Sequence, residues 1–497
     1  MTSNRLKTHH FGAKRANSSM QTGIFRLFAK AVLVAVCVTA LTASVRPNNL
    51  EQVRMHGEIV MVTRNSPTTF FEDRAGPTGY EMELAQAFAQ YLNVDLKVIV
   101  ADNLSDIFST LETGKAAFAA AGLTNTPDRD RWFRFSQPYM QVSEQVIYRR
   151  GGVRPKEAVD LAQGKLVVAA GSSHAERLRM VQVRQIPELT WSESPDLEVA
   201  DLLQMVASGN IDFTVVDSNE FRMLQAYYPN LGVAFDLSEQ QDIAWAFAYS
   251  RDDSLYKAAN EFFNQQETAP LLAELSERYY GHLDKLDYVG ARRFLRQTNK
   301  KLDTYRPHFE LASEQSGIDW RLLAAVGYQE SHWNPNARSY TGVRGLMMLT
   351  RNTARELGIK NRLDPQQSIM GGSRYLAKLR ERLDSVQEPD RTWLALAAYN
   401  VGYGHLTDAR KITAEMGGNP DLWMDVKEAL PLLSQKRYYR NTRHGYARGQ
   451  EPVDYVQNIR RYYDVLVWNE EQEQNFPEDG ETLQLSSSMI TVIPPLL

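Results

Sequence analysis

One cysteine, Cys37, is all that the 497 residues contain. That excludes an intramolecular disulfide framework, a thiolate zinc site and an iron–sulfur cluster. None of the nine histidines forms a His-Glu-x-x-His pair, so the zinc-protease motif is missing too. No metal and no other cofactor is expected. Excess positive charge is also missing. Lys and Arg number 56 against 60 Asp and Glu, a net charge of -4. Such a chain has no bulk field to hold nucleic acid, and none is expected as a partner. No Gly-x-Gly-x-x-Gly follows a strand pattern, so a dinucleotide site has no support. A mean hydropathy of -0.42 excludes a polytopic membrane protein.

What is present begins with an asymmetric N-terminus. The first acidic residue is Glu51. Before it, basic residues from Arg5 to Lys30 precede an uncharged apolar run over residues 31–45. A basic region followed by a short apolar one reads as an export signal. The run is shorter than the ~20 residues that span a bilayer comfortably. Residues 1–46 are therefore assigned to a signal or anchor segment, and the protein to the periplasmic face of the outer membrane with peripheral attachment. Cys37 follows Val36, which is not the small residue a lipoprotein signal requires, so Cys37 is read as apolar filler.

The body divides in two. Over residues 47–283 strand and helix patterns alternate. Strands are expected at 58–62, 96–100, 116–123, 165–170, 211–216 and 243–249. Helices are expected at 80–94, where Leu84, Phe88, Tyr91 and Leu92 share a face, and after Ser173. This predicts a bilobal α/β domain with largely parallel sheets. Over residues 284–468 the pattern becomes helical, with segments at 292–314, 319–333, 352–357, 368–383, 393–400 and 453–468. An all-α domain is expected there. Residues 469–497 lack Lys and Arg, and a mostly disordered acidic tail is expected.

The α/β half carries an ordered set of motifs. Gly57-Glu58-Ile59-Val60-Met61-Val62 precedes Gly79-Tyr80-Glu81-Met82-Glu83-Leu84. Thr124-Asn125-Thr126-Pro127-Asp128-Arg129 is followed by Phe135-Ser136-Gln137-Pro138-Tyr139. Gly171-Ser172-Ser173 and Val216-Asp217 come later. This order resembles the family-3 extracellular solute-binding proteins, which capture polar amino acids between two hinged lobes. The resemblance implies that Arg129 clamps a ligand carboxylate, which suits a guanidinium fork. It also implies that Ser172, Ser173 and Asp217 complete the cleft, and that the ligand is an amino acid or a stem peptide of peptidoglycan. The plainer alternative is that Arg129 pairs with a carboxylate of the chain itself.

In the helical half, Leu323, Val326, Gly327 and Glu330 fall on one helix face. A carboxylate on an apolar stripe loses solvation, and its pKa should rise toward neutrality, as a general acid at pH 7 requires. The alternative is a helix-end glutamate bonded to backbone amides or an arginine. Beyond it come Ser339-Tyr340-Thr341-Gly342-Val343-Arg344-Gly345-Leu346-Met347-Met348, then Ala398-Tyr399-Asn400-Val401-Gly402, then Tyr455-Val456.

With Glu330-Ser331 at their head, these motifs resemble the lysozyme-like domain of the soluble lytic transglycosylase superfamily. The resemblance implies that Glu330 cleaves peptidoglycan glycan strands between N-acetylmuramic acid and N-acetylglucosamine, leaving 1,6-anhydro ends. It also implies that Ser331 orients Glu330, and that Ser339, Tyr399, Asn400 and Tyr455 line the glycan site. The chain departs from the family pattern at Met348, where a glutamine is frequent, and at Val343, where an alanine is. After Glu330 no further carboxylate occurs until Glu356, which suits a reaction using one acid rather than the usual glycosidase pair. A hydrolytic muramidase and a binding-only envelope sensor remain open alternatives.

Overall fold

The computed structural model describes residues 47–73, 76–283, 288–339, 342–475 and 490–492. The expected export segment lies outside them. Among the described residues, no helix is long and apolar enough to cross a membrane.

In the first lobe, strand Glu58–Arg64 pairs in parallel with Asp95–Ala101 and with Phe118–Ala119. The sheet is completed by Ala246–Ala248, antiparallel to its neighbours, and by Phe133–Phe135 beyond it, which again runs in the sense of Glu58–Arg64. Helix Tyr80–Leu92 buries Leu84, Phe88 and Leu92 against this sheet, while Tyr91 stays 40% exposed and only flanks Phe88 and Phe262. The helix can start where it does because Gly79 has φ 127°, and a Cβ there would lie 2.3 Å from the Thr69 carbonyl oxygen. Phe88, Phe118, Trp245 and Phe262 form an aromatic centre for the lobe.

The second lobe departs from the parallel expectation. Strand Glu144–Arg149 lies between Phe213–Asp217 and Leu231–Asp236, antiparallel to both. Among the described residues of this lobe, parallel pairing is confined to Val167–Ala169 with Trp191–Ser194 and a single bridge from Leu166 to Phe213. The reason is the double crossing between lobes. The chain enters through Met140–Val142 and returns through the antiparallel Gln241–Ile243, so the strands next to those crossings run in opposite senses. The expected strand over 243–249 is likewise split. Trp245 turns into the first lobe, where its indole Nε1 donates to Glu81 Oε2 at 2.9 Å.

The helical half packs around Phe309, Leu323, Val326, Met347, Leu394 and Ile459. The segment expected as one helix over 292–314 is Tyr288–Gln297, a π turn at Thr298–Leu302, and Asp303–Ser316. Pro307 lies inside the last of these, and without an N–H it cannot bond the carbonyl of the preceding turn. The terminal helix, Gln450–Asn475, runs past the expected boundary at 468. Glu470 holds it there, accepting from Arg306 at 3.0 Å and Arg321 at 3.1 Å. Residues Ile490–Val492 add an antiparallel strand beside Trp191–Glu193. The disorder expected of the tail therefore does not extend to residues 469–475 or 490–492; the rest of it lies outside the described residues.

The two halves meet along the terminal helix. Tyr227 of the second lobe stacks on Trp468 at 4.8 Å and 18°, and Ala226 joins the helical core. His282 bonds Asp464 at 2.6 Å, and Lys427 bonds Glu277 at 2.6 Å. Trp468→Ala removes the stacking ring from a half-buried position. It should cost about 2 kcal/mol, below the ~3–5 kcal/mol of a fully buried Trp→Ala. Calorimetry should show the unfolding endotherm of the α/β half moving down and separating from that of the helical half.

Candidate active site

Helix Trp320–Ser331 begins at Asp319, whose carboxylate caps the Arg321 amide at 2.9 Å. It ends where His332 and Trp333 both take φ 52°. Two left-handed residues in succession fold the chain back, so that Trp333 is fully buried and donates from Nε1 to the Ala324 carbonyl at 2.8 Å. Glu330 thus stands on the last turn of a helix whose end is anchored by the buried Trp333.

The loop that follows is pushed against this turn by missing side chains. A Cβ on Gly327 would lie 2.8 Å from Leu346 Cδ2, and one on Gly372 would lie 2.7 Å from Met347 Cβ. Gly345 has φ 87°, and a Cβ there would overlap the Arg362 carbonyl oxygen at 1.7 Å. These glycines admit Leu346 and Met347 into the helical core, with the Met347 carbonyl facing Tyr399.

Three tyrosines complete the surroundings. The Tyr455 hydroxyl donates to Glu330 Oε1 at 2.6 Å. Tyr399 donates to the Met347 carbonyl at 2.9 Å. The Tyr399 and Tyr455 rings stack at 6.5 Å and 14°, and Tyr375 leans on Tyr399 at 5.2 Å. Burial pushes the Glu330 pKa from 4.5 up to about 7, with the Tyr455 hydrogen bond opposing the rise. Among the described residues no carboxylate stands close enough to shift it. Both phenols are held well above their usual pKa by burial and by the nearby Glu330 charge. The geometry therefore offers one carboxyl, divided between its two protonation states near neutral pH and partly open to solvent. It can donate a proton and take one back.

The expected residues distribute unevenly. Tyr399 and Tyr455 come to Glu330. Ser331 does not orient it: its hydroxyl donates to the carbonyls of Leu346 at 2.8 Å and Gly327 at 3.2 Å. A serine one residue along a helix points about 100° away from its neighbour, here into the loop it anchors. Ser339 accepts from the Val343 amide at 3.3 Å and shapes that loop. Asn400 is exposed next to Tyr399. Tyr375 was not anticipated. Its sequence signal was the Gly371-Gly372 pair in helix Pro365–Glu381, which marks a close approach on the same helix.

In the α/β half, Arg129 is buried and already engaged. Its Nε donates to Glu176 Oε1 at 3.1 Å, and its terminal nitrogens donate to the carbonyls of Thr124 and Gly171, both at 3.1 Å. Asp217 bonds His174 at 3.2 Å. Ser172 caps helix Ser173–Arg184 through the Ala175 amide at 3.2 Å, and Ser173 is the buried first residue of that helix. Glu144, His174 and Asp217 bring possible ligand atoms within 4.8 Å of one another. Their charges are already opposed, however: Arg177 donates to Glu144 at 3.1 Å, and the His174 pKa is held up by Asp217 and Glu144 against burial.

Two families match the chain. Bacterial extracellular solute-binding proteins, family 3, match residues 59–282, and the transglycosylase SLT domain matches residues 307–421. A protein of Ectopseudomonas mendocina (strain ymp) named membrane-bound lytic murein transglycosylase F is 51% identical, over 89% of this chain and 93% of its own. The protein of that name from Pseudomonas fluorescens (strain Pf0-1) is 52% identical over 85% of this chain and 87% of its own. The one from Saccharophagus degradans is 47% identical over 93% of this chain and 92% of its own. Among solved structures, an ancestral amino acid-binding protein is 23% identical over 47% of this chain and 100% of its own, with a TM-score of 0.41.

The raised pKa has a stability consequence. Between pH 4.5 and about 7 the folded protein keeps a proton on Glu330 that the unfolded chain has released. Stability therefore falls as pH rises through that window. Glu330→Gln removes the dependence. The variant should be more stable than the wild type by up to about 3 kcal/mol at pH 8, and the gain should vanish at pH 4, in urea denaturation at the two pH values.

Proposed function

The chain belongs to the membrane-bound lytic murein transglycosylase F family, and from that premise we propose that Glu330 alone performs both proton transfers of its reaction. The protein is a lytic murein transglycosylase, a lyase-type enzyme acting on peptidoglycan. The observation that carries the mechanism is the position of Glu330. It is a half-buried carboxyl with a pKa near 7, bonded to a neutral phenol, and among the described residues no carboxylate stands close enough to shift it.

A protonated Glu330 gives its proton to the glycosidic oxygen between N-acetylmuramic acid and N-acetylglucosamine as the bond from C1 to that oxygen breaks. The departing chain leaves with a new hydroxyl. The ionised Glu330, held by the Tyr455 hydroxyl, then takes the proton of the C6 hydroxyl of the muramic acid unit. That oxygen closes onto C1, and a 1,6-anhydro ring forms with no water consumed. Glu330 ends protonated, ready for the next cycle. A pKa near 7 serves both half-reactions, because neither protonation state is costly to reach. Tyr399 fixes the Met347 loop beside the acid. Ser339 and Asn400 line the approach of the glycan strand.

The α/β half is assigned as a regulatory or targeting module. Its ligand carries a carboxylate, as an amino acid or a stem peptide does, and meets Arg129, Ser172, Ser173 and Asp217. The enzyme attaches peripherally at the periplasmic face of the outer membrane. This placement rests on the basic N-terminal region and the short apolar run after it.

Glu330→Gln keeps the size of the side chain and removes both transfers. Release of muropeptides from purified sacculi should fall by ~10⁴-fold or more, since one general acid–base group typically supplies ~10²–10⁴ and this one acts twice. Binding to sacculi should persist. Mass spectrometry of wild-type products should show 1,6-anhydro ends. Ordinary reducing N-acetylmuramic acid ends would mean that water attacks, and near-wild-type release by the variant would remove Glu330 from the mechanism.

A further inference from the structure

The boundary between the two lobes of the α/β half is crossed by two buried arginines of the first lobe. Arg64, at the end of strand Glu58–Arg64, reaches Glu220 at 2.6 Å and Glu198 at 3.4 Å in the second lobe. Arg129 reaches Glu176 at 3.1 Å and the Gly171 carbonyl at 3.1 Å, also in the second lobe. The Glu176 carboxylate is gripped at both oxygens from the first lobe: Oε1 by Arg129, and Oε2 by the Thr126 hydroxyl at 2.6 Å. A free carboxylate ligand would present these same two oxygens to the same two donors.

Glu176 does not arrive there by chance of rotamer. It sits in the first turn of helix Ser173–Arg184, whose start is fixed by Ser172. The Ser172 hydroxyl accepts from the Ala175 amide at 3.2 Å and donates to the Ala169 carbonyl at 2.7 Å. The same turn carries His174, which meets the buried Asp217 at 3.2 Å. One capped helical turn thus offers a carboxylate to the buried arginine of one lobe and an imidazole to the buried aspartate of the other. At the other crossing, the space between Arg64, Ser66, Thr68, Glu198 and Glu220 is a cavity of about 40 Å³, large enough for water and too small for an amino acid.

We propose that the interlobe cleft is closed by a built-in occupant, Glu176 seated on Arg129 and Thr126, and that a carboxylate ligand enters only by displacing it. The proposal rests on the reading of the α/β half as a ligand-binding module and adds what competes for the site. Affinity for a free amino acid is then a difference between two carboxylates for one guanidinium, with the internal one tethered and already in place. A ligand with further contacts to either lobe, such as a stem peptide, competes better than an amino acid.

Removing Glu176 leaves a buried guanidinium without its carboxylate, which favours an opened, hydrated cleft and a vacant anion site. The test uses the full chain with Cys37→Ser, and spin labels on cysteines introduced at the exposed Glu112 and Glu188, one on each lobe. Calorimetric titrations use L-glutamate, L-arginine and a synthetic alanyl-γ-glutamyl-diaminopimelate tripeptide. Glu176→Ala should lengthen the interlobe distance and raise the affinity for at least one probe tenfold or more. Glu176→Gln keeps the side-chain volume and should give the same direction of change with less risk to folding. Adding Arg129→Ala should abolish the gain.

Equal affinity in wild type and both variants overturns the displacement and leaves the ligand reading standing. Failure of wild type and variants alike to bind any probe overturns both. A gain that survives Arg129→Ala also overturns the proposal, because the freed site would not be the guanidinium.

Discussion

A carboxyl that keeps its proton near pH 7 must be taken out of water without being given a cation. The helical half is arranged around that constraint. Glu330 is shielded by tyrosine rings, which take it largely out of water without supplying charge, and its carboxylate accepts from the neutral hydroxyl of Tyr455. An arginine at the same distance would hold the carboxylate ionised and end its service as an acid. The surrounding features follow from this need. Gly327, Gly345 and Gly372 let the Met347 loop close over the helix. Ser331 ties the loop to the turn that bears Glu330, and Tyr399 ties it from the other side.

The α/β half solves the opposite problem. Its lobe boundary is lined with buried charge, and each charge is opposed by another: Arg64 by Glu220, Arg129 by Glu176, Asp217 by His174, Glu144 by Arg177. Buried ion pairs add little net stability but make their loss costly, since a single survivor is stranded. Such a boundary is therefore specific in its closed register and sensitive to any group that substitutes for one partner.

The terminal helix joins these two environments. Tyr455 near its start touches the acid, and Trp468, about 20 Å further along at 1.5 Å per residue, carries the stack with Tyr227 of the second lobe. Active site and domain junction thus share one rigid backbone, continued to Asn475 by the pairs of Glu470 with Arg306 and Arg321.

Local pattern was enough for the architecture and for drawing attention to one carboxyl. Alternation, helical periodicity and motif order are short-range properties, and they sufficed to divide the chain into an α/β and a helical half and to single out Glu330 as a carboxylate on an apolar stripe. The sense of the strands in the second lobe was not legible, because it depends on the chain crossing twice between lobes. The role of Ser331 was not legible either, since the loop its hydroxyl meets lies 15 residues away. Tyr455 could be named from its motif, but its bond to Glu330 spans 125 residues. Above all, the sequence left Arg129 with two readings, a clamp for a ligand carboxylate and a partner of one of the chain's own carboxylates. Tertiary structure decided that its carboxylate is Glu176, 47 residues on and in the other lobe. Composition and spacing determine which groups need a partner, and only the fold determines which partner comes within hydrogen-bonding distance.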